Sequence, residues 1–238
     1  MIELHLLIKA TSTTLKLALC ALVIGLILAI SFAVLEELRM WKWLTFIGKI
    51  FFSLFCGLPE ILIVLFIYLV TSQSLIILVN NINDYCHTYL DFSLPIDNFN
   101  LNPLLCGIIA LALIYASYAY YILRGAIKAI SKKQWESGQA LGMNNSVILF
   151  HLILPQIWRL ALPGLGNQWL VLLKDTTLVS LISVNDLMLQ TKSIITITHK
   201  PFTWYVLSSL IYLVITLFSQ VILFLLERFA NRFEKVIT

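Results

Sequence analysis

Apolar runs long enough to cross a bilayer alternate with short polar segments along almost the whole of this 238-residue chain. A spanning helix needs about 20 predominantly apolar residues. The first run extends from about Leu15 to Leu35 and stops at Glu36-Glu37. It has no convincing small-residue cleavage site, which predicts a retained helix rather than a signal peptide. After the polar, aromatic stretch Arg39 to Lys49, a second apolar region covers Ile50 to about Val79, interrupted by Gly57-Leu58-Pro59. Either a short interfacial segment precedes a helix beginning near Pro59, or one long helix is broken there. Asn80 to Asn102 carries Asp84, Asp91, Pro95 and Asp97 but no Lys or Arg, and predicts a loop, with or without a short helix. Further spans are predicted over about Pro103–Leu123, Leu165–Val184 (despite the embedded Lys174-Asp175) and Trp204–Leu226. The pattern is that of an all-α membrane protein with five transmembrane helices, forming one domain over residues 1–238.

Composition narrows the function classes. Hydrophobic residues make up 60% of the chain and charged ones 12%, against about 25% charged in an average soluble domain. That excludes an ordinary cytosolic enzyme, a nucleic-acid binder and a disordered chain. Cys20, Cys56, Cys86 and Cys106 are far apart, and His5, His87, His151 and His199 are isolated, so neither a disulfide framework nor a metal site is indicated.

The scarce charges are informative by position. Five spans put the termini on opposite sides. With the N-terminus outside, Arg39, Lys42, Lys49, Arg124, Lys128, Lys132, Lys133, Arg159, Arg228, Arg232 and Lys235 fall inside, against Lys9, Lys192 and Lys200 outside. The positive-inside bias therefore predicts an outside N-terminus, a cytoplasmic C-terminus and a cytoplasmic segment of about 124–163. Trp41, Trp43, Trp158, Trp169 and Trp204 are assigned to the interfacial belt.

The segment 124–163 holds the clearest motif. Trp135-Glu136-Ser137-Gly138-Gln139-Ala140-Leu141-Gly142 is followed, nine residues on, by Leu152-Ile153-Leu154-Pro155. Its alternation predicts two short amphipathic helices hinged at Gly142, the second stopped by Pro155. Such a knob either docks a partner or lies on the lipid headgroups. The arrangement resembles the EAA signature of permease subunits of ATP-binding-cassette importers, with Ser137 and Gly138 where alanines are usual. Glu136, Ala140, Leu141, Gly142, Leu154 and Pro155 complete the match. Gly57-Leu58-Pro59-Glu60, Leu162-Pro163-Gly164-Leu165-Gly166-Asn167 and Leu173-Lys174-Asp175-Thr176-Thr177-Leu178 extend the resemblance to the polar-amino-acid subfamily, although Cys56 stands where Arg is usual. Within it the chain is most similar to the Q-type permeases of bacterial arginine importers.

The resemblance implies a type I ABC importer permease fold in the bacterial inner membrane. It also implies transport of a basic amino acid, arginine first, with lysine, histidine or another polar amino acid as alternatives. The expected partners are a second permease subunit, two ABC ATPase subunits and a periplasmic amino-acid-binding protein, besides the small-molecule substrate and membrane lipid, with no nucleic acid. The coupling loop would seat in the ATPase. No G-x-x-x-x-G-K-[ST] occurs in the chain, so ATP and Mg are expected on the ATPase subunits, with no cofactor on this chain and no enzymatic activity of its own. A channel or secondary transporter is the alternative of a different class, but neither internal repeats nor a pore-lining pattern is visible.

Charged residues within spans cost roughly 2.5–3.5 kcal/mol at a helix centre and mark a pathway or a partner contact. Asp175 suits a guanidinium because a carboxylate accepts it as a bidentate fork. Adjacent Lys174 and Asp175 lie about 100° apart on a helix, and an inter-subunit salt bridge is an equal reading. Glu60 either complements the dipole of a helix starting at Pro59 or lines a polar cavity at a break made by Gly57 and Pro59. Asn167, Gln168, Thr176 and Thr177 give the fourth span a polar side, for the path or for interhelical hydrogen bonds.

Overall fold

The computed structural model describes residues 2–38, 41–90 and 102–232. Among these there is no strand. The chain runs through α1 (Ile2–Glu37), α2 (Lys42–Gly57), α3 (Glu60–Leu90), α4 (Pro103–Ala129) and α5 (Lys132–Ala140). A single turn, α6 (Asn145–Val147), passes through a π-helical stretch, Ile148–Ile153, into α7 (Leu154–Asp175). A 3-10 segment, Thr176–Ile182, then leads to α8 (Leu187–Thr198) and α9 (Pro201–Ala230).

Among the described residues, four helical runs are long and apolar enough to span: 3–37, 103–129, 145–182 and 201–230. The fifth expected span corresponds to α2 and the first half of α3, which meet at 119°. The bend lies at Leu58-Pro59. Leu58 is extended (φ −98°, ψ 146°), as a residue before proline prefers, and the Pro59 carbonyl accepts the first α3 bonds from Leu62 and Ile63. The break is thus a sharp bend between two helices, the second beginning at Glu60.

Helix α4 is the hub, packed against α1, α2, α3 and α7. Its Ala110, Ala112, Ala116 and Ala119 are at most 1% exposed. Between spanning helices there is little hydrophobic drive, so small residues that permit close backbone approach carry the packing. Gly25 of α1 shows how close: a Cβ there would lie 2.6 Å from the Ala112 carbonyl oxygen.

Several boundaries differ from the sequence expectation. The stretch Arg39–Lys49, read as a polar connection, supplies the first half of α2 from Lys42 on. Asn80–Leu90, read as part of a loop, continues α3; polar as it is, it contains neither Gly nor Pro to stop the helix. The acidic stretch from Asp91 on, like Arg39 and Lys235, lies outside the described residues. The helical run that holds the fourth span begins near Asn145, about twenty residues before Leu165, and its α-helical part ends at Asp175. Pro155 does not stop a helix. The wide turns of Ile148–Ile153 precede it, and such π-type turns relieve the contact between a proline ring and the carbonyl four residues back. Helix α8 was unpredicted because it is too short to span and mixes Gln190, Lys192 and Ser193 with apolar residues.

Candidate functional site

Two regions gather the predicted residues. In the first, α5 starts at Ser131, whose side chain accepts from the Lys133 N–H at 3.3 Å. It ends in a left-handed glycine cap. Gly142 has φ +78°, its N–H donates to the Gln139 carbonyl (2.9 Å), and the Met143 N–H donates to the Gly138 carbonyl (3.0 Å). This is the Schellman pattern, which a Cβ at position 142 would strain. The next helical run is capped by Asn144, accepting from the Val147 N–H at 2.8 Å.

The hinge expected at Gly142 is thus a tight reversal that folds α5 back on the π-helical stretch. The contact is made at Gly138, where a Cβ would meet Ile148 Cγ1 at 2.7 Å. An alanine at 138 would displace Ile148, so the glycine in this copy of the motif and the isoleucine ten residues on are matched. The side-chain amides of Gln134 and Gln156 bond reciprocally (3.0 and 2.8 Å), tying α5 to the start of α7. Glu136 lines a cavity of about 500 Å³ that also takes in Glu37, Lys128 and Lys132. Leu141 is 81% exposed, with Val147, Phe150 and Leu152 exposed nearby in sequence. Ser137 and Ala140 lie on α5, and Leu154 and Pro155 open α7.

The second region joins Glu60, in the first turn of α3, to Asp175, in the last turn of α7. Helix α3 packs on the 3-10 segment that follows α7, and the two carboxylates lie within electrostatic range of each other. Tyr118 of α4 donates to Glu60 Oε1 at 3.0 Å. Both carboxylates are half-buried, and among the described residues neither has a basic group within ion-pairing distance.

The remaining residues of that group do not all converge. On α7, Asn167 and Lys174 are seven apart, share one face and are exposed; Gln168 and Asp175 share another, with Gln168 buried. Thr176 has no exposed surface and donates to the Leu173 carbonyl at 2.7 Å, and Thr177 donates to that of Lys174 at 2.8 Å. Gly57 and Pro59 sit at the bend and are exposed. Trp158 and Trp169 lie within the helical run 145–182 rather than near its ends, because that run starts earlier than expected.

Three groups escaped the sequence reading. Glu36, seen only as the end of a span, accepts from the Tyr120 hydroxyl and pairs with Lys49 Nζ at 2.9 Å and Arg124 Nε at 3.1 Å. The Arg124 N–H is not aligned for a hydrogen bond, so that contact is charge pairing. It ties α1, α2 and α4 together at one end. Asp186 is fully buried; its Oδ1 caps α8 by accepting from the Leu189 N–H (2.9 Å), while Oδ2 has no partner. Burial pushes its carboxyl up to about 6. Tyr118 of α4 is the third group. No signal in the sequence pairs it with Glu60, 58 residues away.

Comparison with known proteins accounts for this assembly of features. Residues 12–235 match the family of binding-protein-dependent transport system inner membrane components. The chain is 55% identical over 228 residues, 95% of each chain, to the arginine ABC transporter permease protein ArtQ of Escherichia coli K12. It is 48% identical to the protein of the same name from Haemophilus influenzae Rd, over 98% of this chain and 96% of that one. The histidine/lysine/arginine/ornithine transport system permease protein HisQ of Salmonella typhimurium LT2 is 34% identical over 93% and 91%. Among solved structures, an amino acid ABC transporter crystallised with histidines has a chain that superposes with a TM-score of 0.77 at 28% identity, covering 94% of each chain. The MetNI methionine ABC transporter shares the fold, with a TM-score of 0.70 at 12% identity over 95% of this chain and 97% of that one. A family match over nearly the whole length and a relative sharing more than half of its residues place the chain: it belongs to the inner-membrane permease components of binding-protein-dependent ABC importers.

Proposed function

We propose that this permease subunit carries arginine inward, and that Glu60 and Asp175 receive its guanidinium. The observation carrying this reading is the convergence of two half-buried carboxylates, on helices distant in sequence, with no basic residue paired to either among the described residues. Two like charges held together in a spanning region are costly, Lys174 offsets only part of that cost at Asp175, and a visiting cation relieves the rest. A guanidinium offers five donors in a planar fork, enough for both carboxylates. Tyr118, bonded to Glu60, orients it.

The same reading sets the N-terminus outside and the coupling segment, from α5 through the π-helical stretch, in the cytoplasm, on the strength of the eleven basic residues that this orientation places inside. The knob of α5, Gly142 and the π-helical stretch seats in an ATPase subunit, with Leu141 as its exposed apolar contact and Glu136 beside it. The partners are a second permease, two ATPase subunits that hold ATP and magnesium, and a periplasmic binding protein that delivers the amino acid.

The test is uptake of labelled arginine by the assembled transporter in proteoliposomes with its binding protein. Glu60→Gln and Asp175→Asn should each lower uptake about tenfold or more, since a hydrogen bond to a charged group is worth ~1.5–3 kcal/mol, while unstimulated ATP hydrolysis persists. Gly142→Ala should lower uptake and stimulated hydrolysis together. Normal arginine uptake by both carboxylate variants at normal expression would remove them from the path.

A further inference from the structure

A groove of about 590 Å³ runs between α1, α7 and α9, apart from both regions described above. Its lining is apolar except for Ser219. It extends from Leu15, Trp169 and Val214 at one end to Leu26, Trp158 and Leu226 at the other. Each wall covers twelve or thirteen residues, about 17 Å from end to end at 1.5 Å per residue. That is close to half of the ~30 Å hydrocarbon core of a bilayer, the depth of one leaflet. The narrow, apolar lining of the groove along that length suits a hydrocarbon chain lying in it.

Charge distinguishes the two ends. Arg159 shares a helix face with Leu162 and Gly166 of the groove wall, at i+3 and i+7, and sits at the end nearer the coupling segment. Side chains on a helix lean toward its N-terminus, which for α7 is the coupling-segment end of the groove. Arg159 is half-exposed, and among the described residues no carboxylate pairs with it. At the other end, Lys16 follows Leu15 directly and so lies about 100° around α1 from the leucine row.

We propose that this groove is a phospholipid site, in which one acyl chain lies between α1, α7 and α9 while the phosphate of an anionic headgroup is held by Arg159. The experiment reconstitutes the assembled transporter in nanodiscs of phosphatidylglycerol or phosphatidylcholine and counts lipids retained per complex by native mass spectrometry. The unmodified protein should retain phosphatidylglycerol in preference. Arg159→Gln should reduce that retention about fivefold, the worth of ~1 kcal/mol per basic residue near a membrane surface, and leave phosphatidylcholine unchanged. Leu22→Trp, which fills the groove from α1, should reduce both lipids, and Phe66→Trp on the exposed side of α3 should reduce neither. Each variant is first checked for assembly by size-exclusion chromatography. Retention unchanged by Leu22→Trp overturns the site, and retention indifferent to headgroup and to Arg159→Gln overturns the anionic assignment. Efficient thiol cross-linking of Phe218→Cys to a second permease subunit, in a chain with its native cysteines replaced by serine, would give the groove to a protein partner and overturn the lipid reading.

Discussion

Helices α4 and α9 both span, yet 67% of the most apolar window of α4 is buried and only 6% of that of α9. The more hydropathic of the two is the exposed one. In a soluble protein the order would be reversed. Here the buried face of α4 carries Gly107, Ser117 and five alanines beside Leu111, Ile114, Tyr115, Tyr120, Leu123 and Ile127, and the two buried residues of α9 are Ser208 and Ser219. Phe218, Phe224 and Phe229 point outward at more than 60% exposure. Inside a bilayer the lipid is as apolar as any core, so hydropathy does not decide which helix is buried, and small residues that admit close backbone approach do. The hub is marked by its small residues, between which large side chains such as Tyr115 and Tyr120 are also enclosed.

The strongest attempt to break that contrast is Gly25→Leu, where α1 meets α4. Even a Cβ would overlap a backbone carbonyl there, and backbone does not yield as a side-chain tip does. The cost should exceed the roughly 1–3 kcal/mol of ordinary overpacking, and folded protein recovered in mild detergent should fall to near zero. Recovery at the level of the unmodified chain would mean that α4 is not a tightly packed hub.

Asp186 offers the next effect, at the junction where α8 begins beside α1 and α9. The Leu187 N–H donates to Thr14 Oγ1 of α1 at 3.0 Å, so the cap and the helix contact are built together. Burial raises the Asp186 carboxyl from its ordinary 3.8 to about 6. A folded-state value above the unfolded one means that the native protein holds the proton more tightly. This stabilisation is full below about pH 3.8 and is lost as pH rises through 6. Asp186→Asn keeps a capping oxygen for Leu189 and removes the titration. Thermal melts between pH 4 and 7 should therefore lose a slope worth roughly 2–3 kcal/mol. Equal slopes in both proteins would show that the carboxyl is not buried as described.

How legible these features are depends on what kind of contact makes them. The long apolar runs announce α1, α4 and α9, and Gly142 announces its turn, because both signals are local. Pro155 misleads because the π-helical turns that accommodate it are set by the packing of Ile148 on Gly138, which no short window displays. Glu60 and Asp175 attract notice as charges in apolar surroundings, whereas their proximity depends on the 119° bend before α3. Glu36 lies next to Glu37 at the end of a span and looks like a solvated terminus. Its pairing with Lys49 and Arg124 exists only once α2 and α4 have packed.

That pairing supplies a smaller effect. Glu36→Gln leaves two cations facing each other across α2 and α4. The side chains are partly exposed, at 18% for Glu36 and 40% for Lys49, so solvent screens the loss. A destabilisation of about 1–2 kcal/mol is expected, between the values for exposed and buried pairs. Glu227→Gln, on the rim helix α9, should cost less than about 0.5 kcal/mol. If the two variants melt alike, the hub gains nothing from its charged end.

The smallest effect is the most discriminating for α9. Phe224 is 62% exposed, and replacing it by leucine in lipid exchanges one apolar surface for another, because lipid tails fill whatever space is left. In the isolated permease, Phe224→Leu should change stability by less than about 0.5 kcal/mol. In the assembled transporter the same change is diagnostic. A cost that stays below that level leaves this part of α9 facing lipid and extends the contrast with α4 to the whole complex. A cost of about 1 kcal/mol or more, appearing only on assembly, would show the phenylalanine inserted into a partner helix. The exposed aromatics of α9 would then be core residues of an interface, and the difference between the two helices would reflect which neighbours are present rather than what each helix is made of.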